Sequence, residues 1–308
     1  MSLSALIAAL LLEQLNALAE RNYLPAWLSG YVGYFQHHFN SGAYHHGRTA
    51  WWLATLPSVI ASIVLFWGLH RLHPILSWAF DVLVLYLCMG FGRYRQIYAG
   101  IQLALRGADM PGARSLLSQL RGVGADESGP EEIARLAIES TLMVALNRLF
   151  AVIVWFVVTS FLGLGGAAGV LFYCMSLAMP GESDDEFMSY ARKMRTSLDW
   201  LPIRLTAATF AIVGNFEDTA YCWRSQASGW PDPEKGILLA SAAGASGIRL
   251  GSGRSDAGSP ELGVGSPELG VGNKSGAEAL YCIDRLLKRS SVFILVTLFM
   301  LTLAGLLK

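Results

Sequence analysis

The sequence predicts an all-α, polytopic integral membrane protein, and three observations carry that prediction. Of the 308 residues, 53% are hydrophobic and only 15% are charged, whereas soluble domains carry about 25% charged residues. The mean hydropathy is +0.42. Several apolar runs are long enough to cross a bilayer core as helices. We therefore expect about four to five spanning or re-entrant helical segments, with cytoplasmic and interfacial amphipathic helices beside them.

Charge and cysteine use exclude several classes of protein. The 23 basic residues balance the 23 acidic residues, and no basic cluster predicts a nucleic-acid partner. The cysteines are far apart and form no CxxC motif, so neither a disulfide framework nor a zinc site is expected. Two histidine pairs, at 37–38 and 45–46, lie in an aromatic juxtamembrane segment. No cysteine or carboxylate stands near them at ligand spacing, so we predict no metal site.

Residues 1–91 are predicted to form the N-terminal membrane helices. Leu3 to Leu18 reads as a short first span or a half-amphipathic helix, and Trp51 to Leu69 reads as a full span. Ile75 to Phe91 returns across the membrane and carries Asp81 near its middle. A carboxylate at that depth costs about 2.5–3.5 kcal/mol, so it should face protein or water. Asp81 is therefore either functional, as in a transporter or channel, or structural.

Residues 92–148 form an arginine-rich region that the positive-inside rule assigns to the cytoplasm. A helix is expected to begin near Pro130, because proline favours the first helical turn, and to run to about Arg148. Within it Arg135, Glu139 and Asn147 are spaced by multiples of four residues. An unbroken α-helix would present all three on one polar face.

Residues 149–179 are apolar, too long for one span and too short for two, with glycines concentrated between Gly163 and Gly169. Basic residues follow this segment and also precede the last apolar run, so both flanks favour the cytoplasm. We therefore predict a hairpin or re-entrant segment. Glycines that serve helix packing are the competing explanation.

Residues 180–250 are predicted to form an interfacial or cytoplasmic pocket region. From Ser197 to Arg224, helical spacing gives one face to Arg204, Asn215 and Asp218, with Glu217 beside them. A second short apolar piece, 236–251, carries Arg249 near its end and finishes with Gly251. Residues 251–276 repeat GSPELGV in tandem at 258–264 and 265–271 and predict a flexible Gly/Ser/Pro linker. Residues 277–308 predict a C-terminal membrane helix.

Three stretches resemble a known family. VGADESGPEEIARLAIEST (123–141), LDWLPIRLTAATFAIVG (198–214) and ASAAGASGIRLG (240–251) are similar to the CobD/CbiB superfamily, the adenosylcobinamide-phosphate synthases of cobalamin biosynthesis. LDWLPIRL followed by GNFED is typical of the AmpE-like branch, whose members are membrane proteins linked to β-lactamase induction. The synthase joins adenosylcobyric acid to an aminopropanol phosphate at a membrane-embedded cytoplasmic site.

The resemblance also implies acidic motifs suited to a phosphate-bound divalent metal, and these are incomplete here. On the helix that begins near Pro130, Glu139 and Asn147 match the family pattern. Leu146 and Phe150 stand where neighbouring carboxylates are expected.

The second acidic motif is also changed. Arg195 and Thr196 align with a pair of aspartates, and only Asp199 lies nearby, while Leu201-Pro202 and Arg204 are retained. The sequence therefore favours an AmpE-like regulatory or ligand-binding protein with degenerate synthase motifs. The alternative is the synthase itself, with Mg²⁺ and nucleotide as cofactors only in that case, so catalysis is left open.

No residue is assigned as catalytic and no metal ligand is assigned. The ligand-binding candidates are Glu139, Asn147, Asp199, Arg204, Asn215, Glu217, Asp218 and Arg249, and Asp81 is the intramembrane polar residue. The expected partners are the lipid bilayer and either a membrane protein or a second copy of the chain. We expect a multi-pass protein of the bacterial inner membrane whose pocket region faces the cytoplasm.

Overall fold

The computed structural model describes residues 2–15, 44–121, 129–178, 186–250, 269–272 and 276–305. Within these ranges the chain is helical and has no β-strand, only an isolated antiparallel bridge between Leu250 and Leu269. The predicted all-α class is confirmed. In chain order the helices are α1 (Ser2–Leu15), α2 (Tyr44–Leu72), α3 (Pro74–Met89), α4 (Phe91–Arg106), α5 (Met110–Arg121), α6 (Pro130–Ala145), α7 (Ala151–Phe161), α8 (Gly166–Ala178), α9 (Glu186–Val213), α10 (Phe216–Ser225), α11 (Pro233–Ser246) and α12 (Gly276–Leu303).

Four described helical stretches are long and apolar enough to cross a membrane, which confirms a polytopic membrane protein. Two shorter apolar helices, Leu3–Glu13 and Gly166–Ala178, accompany them. The four long stretches are Trp51–Leu72, Pro74–Arg106, Pro130–Phe161 and Glu278–Leu303.

The chain divides into two compact units. Unit 1 comprises Met1–Gly92, Asn147–Pro202 and Leu298–Lys308, and unit 2 comprises Arg93–Leu146 and Ile203–Thr297. One of the divisions falls at Pro202, which lies inside α9. Proline has no backbone N–H and so removes one hydrogen bond from the helix at that point.

The glycine-rich segment of unit 1 separates α7 from α8, and these two helices pack against each other. Gly163 and Gly165 in the turn have φ of 73° and 86°, a left-handed region that glycine enters without strain. A Cβ on Gly166 would lie 2.0 Å from the Phe156 ring. The glycines therefore serve both the turn and close packing. Whether this helix pair enters the bilayer as a re-entrant hairpin stays a prediction.

Two carboxylates of unit 1 hold the first turns of other helices. Asp81 is only 6% exposed, and its Oδ1 accepts a hydrogen bond of 3.0 Å from the Ala167 N–H at the start of α8. Glu13 Oε1 accepts one of 2.8 Å from the Gly92 N–H at the start of α4. Because the first N–H groups of a helix have no partner within the helix, these carboxylates satisfy donors that an apolar setting would leave unpaired.

The stretch from Ser197 to Arg224 is not one helix, which corrects the single polar face predicted for it. α9 ends at Val213, and Asn215 begins α10 as its N-cap. A Cβ on Gly214 would lie 2.6 Å from Ala245, and one on Gly244 would lie 2.6 Å from the Asp218 carbonyl oxygen. α10 and α11 pack against each other, and glycine is needed where their backbones approach so closely.

Residues 269 and 270, which lie in the segment predicted to be a flexible linker, make defined contacts. Leu269 is fully buried and pairs with Leu250 through two backbone hydrogen bonds. The Gly270 N–H donates to Gln226 Oε1 at 2.6 Å, and Gly270 has φ of 100°. The first GSPELGV copy lies outside the described residues, as does the 37–38 histidine pair.

Candidate functional site

Tyr173 joins two of the predicted site residues in unit 1. Its side chain is fully buried on α8, and its hydroxyl donates a hydrogen bond of 2.7 Å to Asp199 Oδ1 on α9. The same hydroxyl lies 3.1 Å from Asn147 Oδ1. Asn147 and Asp199 are far apart in sequence, and the tyrosine brings both to one point.

A phenol carries one proton, so it cannot donate to both acceptors. The shorter contact to a charged carboxylate takes the proton, since hydrogen bonds to ionised groups are the stronger ones. The Asn147 amide can turn to direct Nδ2–H at the phenolic oxygen, because a flip exchanges its oxygen and nitrogen. In that arrangement Asn147 donates to Tyr173, and Tyr173 donates to Asp199.

Positive charge adjoins this cluster. Arg195, one turn before Asp199 on α9, has its Nε 3.8 Å from Asp199 Oδ2. We call Asn147, Tyr173, Arg195 and Asp199 the Tyr173 cluster. It combines a carboxylate, a guanidinium, a phenol and an amide.

A π-helical turn, Leu146–Phe150, carries Asn147 and Arg148. A π turn adds a residue to the helical repeat and is frequent at functional sites. The predicted face of Arg135, Glu139 and Asn147 assumed α-helical spacing throughout, and that assumption fails at this turn. Asn147 instead begins a segment of unit 1.

Glu139 stays in unit 2, where it pairs with Arg135. Arg135 Nη1 lies 3.0 Å from Glu139 Oε1, and its Nη2 lies 3.9 Å from Glu132. The Glu139 side chain is 15% exposed and the Arg135 side chain 11% exposed. This pair is the i,i+4 arrangement that helix spacing predicts.

Arg204 makes a two-point ion pair in unit 2. Its Nη1 and Nη2 donate to Glu234 Oε2 and Oε1 at 2.8 and 3.2 Å. Glu234 lies in the first turn of α11, which Asp232 caps. A bidentate pair of this kind holds both side chains in fixed positions. The Arg204 guanidinium, which the sequence predicted to bind a ligand, is therefore already paired with a carboxylate.

Asn215 and Asp218 form a helix cap. Asn215 Oδ1 accepts from the Asp218 N–H at 3.3 Å, and its Nδ2 donates to Asp218 Oδ2 at 2.7 Å. This reciprocal arrangement satisfies donors at the start of α10. Glu217 and Arg249 are exposed. Among the predicted site residues, hydrogen bonds join Asn215 to Asp218, and Tyr173 joins Asn147 to Asp199.

No three His, Cys, Asp or Glu side chains in the described part of the chain lie together as metal ligands would. Mg²⁺ bound to phosphates usually takes one or two carboxylates and keeps several waters. Asp199, the carboxylate of the Tyr173 cluster, is paired with Arg195 and Tyr173.

The sequence did not predict a role for two residues of these sites, Tyr173 and Glu234. Tyr173 stands in an apolar run that offered no motif, and only its polar tip within a buried helix could have marked it. Glu234 follows Asp232-Pro233, a pair that signals the start of a helix. Acidic residues are common in the first turn of a helix, so the sequence indicated no special role for Glu234. Its partner Arg204 is distant in sequence, so spacing alone could not join them.

Comparisons with known proteins agree on one family. A family model described as CobD/Cbib protein matches residues 6–275. A cobalamin biosynthesis protein CobD of Stutzerimonas stutzeri is 31% identical over 273 residues, which cover 84% of this chain and 86% of that protein. A protein of the same name from Chromobacterium violaceum is 32% identical over 61% of this chain and 60% of its own length.

A cobalamin biosynthesis protein CbiB of Salmonella arizonae is 25% identical over 60% of this chain and 61% of its own length. No solved structure gives a significant match.

Proposed function

Because this chain belongs to the CobD/CbiB family, we propose that it catalyses the amide-forming step of cobalamin biosynthesis. The step joins the carboxylate of adenosylcobyric acid to the amine of an aminopropanol phosphate. The observation that carries the proposal is the match to a cobalamin biosynthesis protein CobD along 86% of that protein's length. It favours the synthase alternative over the AmpE-like regulatory interpretation.

The Tyr173 cluster supports this proposal by its chemistry. An aminopropanol phosphate carries an ammonium group and a phosphate. Asp199 offers a carboxylate to the ammonium, and Arg195, with its Nε 3.8 Å from that carboxylate, offers a guanidinium to the phosphate. Tyr173 holds the carboxylate in position through its 2.7 Å hydrogen bond. A carboxylate with this placement can also accept the proton that the amine loses as the amide forms.

A nucleotide would supply activation of the carboxylate when bound. We assign no step to a metal. What the chain's own residues contribute in this proposal is binding and orientation of the amino phosphate, together with a proton acceptor at Asp199.

A genetic test separates the functions. We expect the chain to restore cobalamin synthesis to a bacterial strain that lacks the synthase, and Asp199→Asn to lose most of that rescue. Tyr221→Phe is the matched control, since Tyr221 is an exposed residue of unit 2. Membrane fractions are probed for each variant, so that absence of the protein is not mistaken for absence of activity. A well-expressed wild-type chain that gives no rescue contradicts the proposal.

The second candidate is an AmpE-like regulatory protein that binds a ligand, a membrane protein or a second copy of the chain. It is favoured by the engagement of Arg204 with Glu234 and by the replacement of expected acids with Leu146, Phe150, Arg195 and Thr196. Under this alternative, deletion of the gene changes β-lactamase induction and leaves cobalamin synthesis intact.

For topology we propose an inner-membrane protein with residues 92–148 and 180–250 on the cytoplasmic side. The basic residues of these regions support this orientation. A reporter that is active only in the cytoplasm, fused near Asp184, should be active. A silent fusion there, with an active fusion near Arg106, would contradict the orientation and leave the proposed chemistry to its own test.

A further inference from the structure

Two arginines of unit 2 approach one exposed tyrosine ring. The Arg285 guanidinium carbon lies 5.1 Å from the centre of the Tyr281 ring, and that of Arg106 lies 5.9 Å from it. Tyr281 is 47% exposed. A guanidinium within about 6 Å of an aromatic centroid is attracted to it. The ring therefore gathers two positive charges from two helices at one exposed place.

A buried hydrogen bond fixes the helices that carry these side chains. The Tyr98 hydroxyl of α4 donates to the Leu280 carbonyl oxygen of α12 at 2.8 Å, and Tyr98 is buried. Leu280 directly precedes Tyr281, and Arg106 is the last residue of α4. Both arginines therefore lie on helices that this hydrogen bond joins, and neither lies in a loop.

In the described part of the chain, neither arginine has an acidic partner. Lys288, one turn beyond, is paired with Asp284. No carboxylate among the described residues lies within ion-pair distance of Arg106 or Arg285, whereas other arginines of this unit, such as Arg135 and Arg204, are paired. Two neighbouring cations without a counter-charge make a favourable place for an anion.

The same face of α12 becomes apolar farther along the helix. Tyr281, Arg285, Lys288, Val292 and Val296 follow one another at intervals of three or four residues, and all are exposed. Residues at these spacings share one helical face. They lie in Glu278–Leu303, a stretch able to cross a membrane. The face therefore offers cationic and aromatic groups first and hydrocarbon contact next, in the order of a phospholipid headgroup and its acyl chain.

We propose that Arg106, Tyr281 and Arg285 bind the phosphate headgroup of an anionic phospholipid, whose acyl chain lies along Val292 and Val296. The charge complementarity and the transition to an apolar surface on one helix favour a lipid over a soluble phosphate. This site is independent of the amide-forming activity, and none of its residues belongs to the Tyr173 cluster.

The test uses the full chain in nanodiscs of phosphatidylcholine alone or of phosphatidylcholine with phosphatidylglycerol. Phosphatidylglycerol that stays bound is measured by native mass spectrometry after gentle release from the disc. Wild type should retain it in preference to phosphatidylcholine. Arg106→Gln and Arg285→Gln should each lower its apparent affinity by about fivefold, equivalent to ~1 kcal/mol for one basic residue near an anionic surface.

Two controls distinguish a built site from diffuse charge. Arg224→Gln removes an equal charge from an exposed position on α10 and should leave lipid retention unchanged. Tyr281→Leu keeps every charge and should still reduce retention, because the ring no longer orders the two guanidinium groups. Equal losses in Arg106→Gln, Arg285→Gln and Arg224→Gln, or full retention in Tyr281→Leu, would overturn the proposal.

A competition experiment distinguishes the source of the phosphate. Soluble glycerol phosphate, added at concentrations that saturate a free-phosphate site, should not displace phosphatidylglycerol. Complete displacement would show that the arginines serve a soluble phosphate, and the lipid assignment would then be wrong.

Discussion

Tyr173 and Asp199, on two different helices of unit 1, share a hydrogen bond of 2.7 Å. The tyrosine comes from an apolar helix without a recognisable motif, and the aspartate lies close to Arg195 and Thr196, where the family resemblance predicts acidic residues. Asn147 on the π-helical turn and Arg195, one turn before Asp199, complete a polar cluster around this contact. Neither sequence segment predicts the cluster by itself. The roles proposed for individual residues of this protein depend on that cluster, whereas the proposed reaction depends on the match to the CobD/CbiB family.

Removing the phenolic hydroxyl tests the cluster directly. Tyr173→Phe keeps the packing and removes the 2.7 Å hydrogen bond from the phenol to Asp199. We expect a loss of ~1–3 kcal/mol in the free energy of unfolding and a higher KM for the aminopropanol phosphate. Thermal unfolding in detergent and steady-state kinetics measure the two effects. If KM is unchanged while stability falls, Tyr173 has a structural role only.

Asp81 tests whether a deep carboxylate is structural. Asp81→Asn keeps an acceptor oxygen for the Ala167 N–H and should change the free energy of unfolding by less than ~1 kcal/mol. Asp81→Leu leaves that N–H unpaired and should cost ~1–3 kcal/mol more. Proton-coupled or ion-coupled flux in liposomes, present in wild type and lost in Asp81→Asn, would instead favour a transporter.

The Arg204–Glu234 pair is expected to stabilise unit 2. Arg204→Gln should cost ~2 kcal/mol, since two hydrogen bonds to a half-buried carboxylate are lost. Lys235→Gln is the matched control, because Lys235 is 52% exposed and its nitrogen lies 3.6 Å from Asp232. Its loss should stay within ~0.5 kcal/mol. Similar losses for both variants would mean that the bidentate geometry contributes little.

The second repeat copy offers an internally controlled substitution. A Cβ on Gly270 would lie 2.0 Å from the Ile248 carbonyl oxygen, and its φ of 100° disfavours any other residue. Gly270→Ala should therefore release Leu269 from Leu250 and speed amide hydrogen exchange at both. Gly263 holds the same place in the first copy, which has an identical sequence. If Gly263→Ala has an equal effect, the packing is not specific to the second copy.

Composition and apolar length were sufficient to predict the all-α membrane class, because the bilayer imposes both. Helix spacing placed Arg135 and Glu139 on one face for the same local reason. It failed at Asn147, since one π turn shifts every later residue, and at Asn215, where a cap ends one helix and begins the next. Such interruptions depend on packing against distant residues, such as Gly214 against Ala245.

The partners of the site residues could not be predicted from the sequence for a related reason. Asp81 could be called functional or structural from its depth alone, and only the fold shows that it meets the first turn of α8. Tyr173 and Glu234 gain their importance from Asp199 and Arg204, which approach them from other helices. Periodicity describes contacts within a helix and carries no information about such pairs.

The most direct measurement is a reaction with purified full-length protein in nanodiscs. Adenosylcobyric acid, an aminopropanol phosphate, a nucleoside triphosphate and Mg²⁺ are supplied, and the product is followed by mass spectrometry. We predict a product whose mass is that of the two substrates joined with loss of one water. Its formation should be greatly reduced in Asp199→Asn and unchanged in Tyr221→Phe. A folded wild-type protein that forms no such product would contradict the synthase assignment and leave the AmpE-like regulatory role.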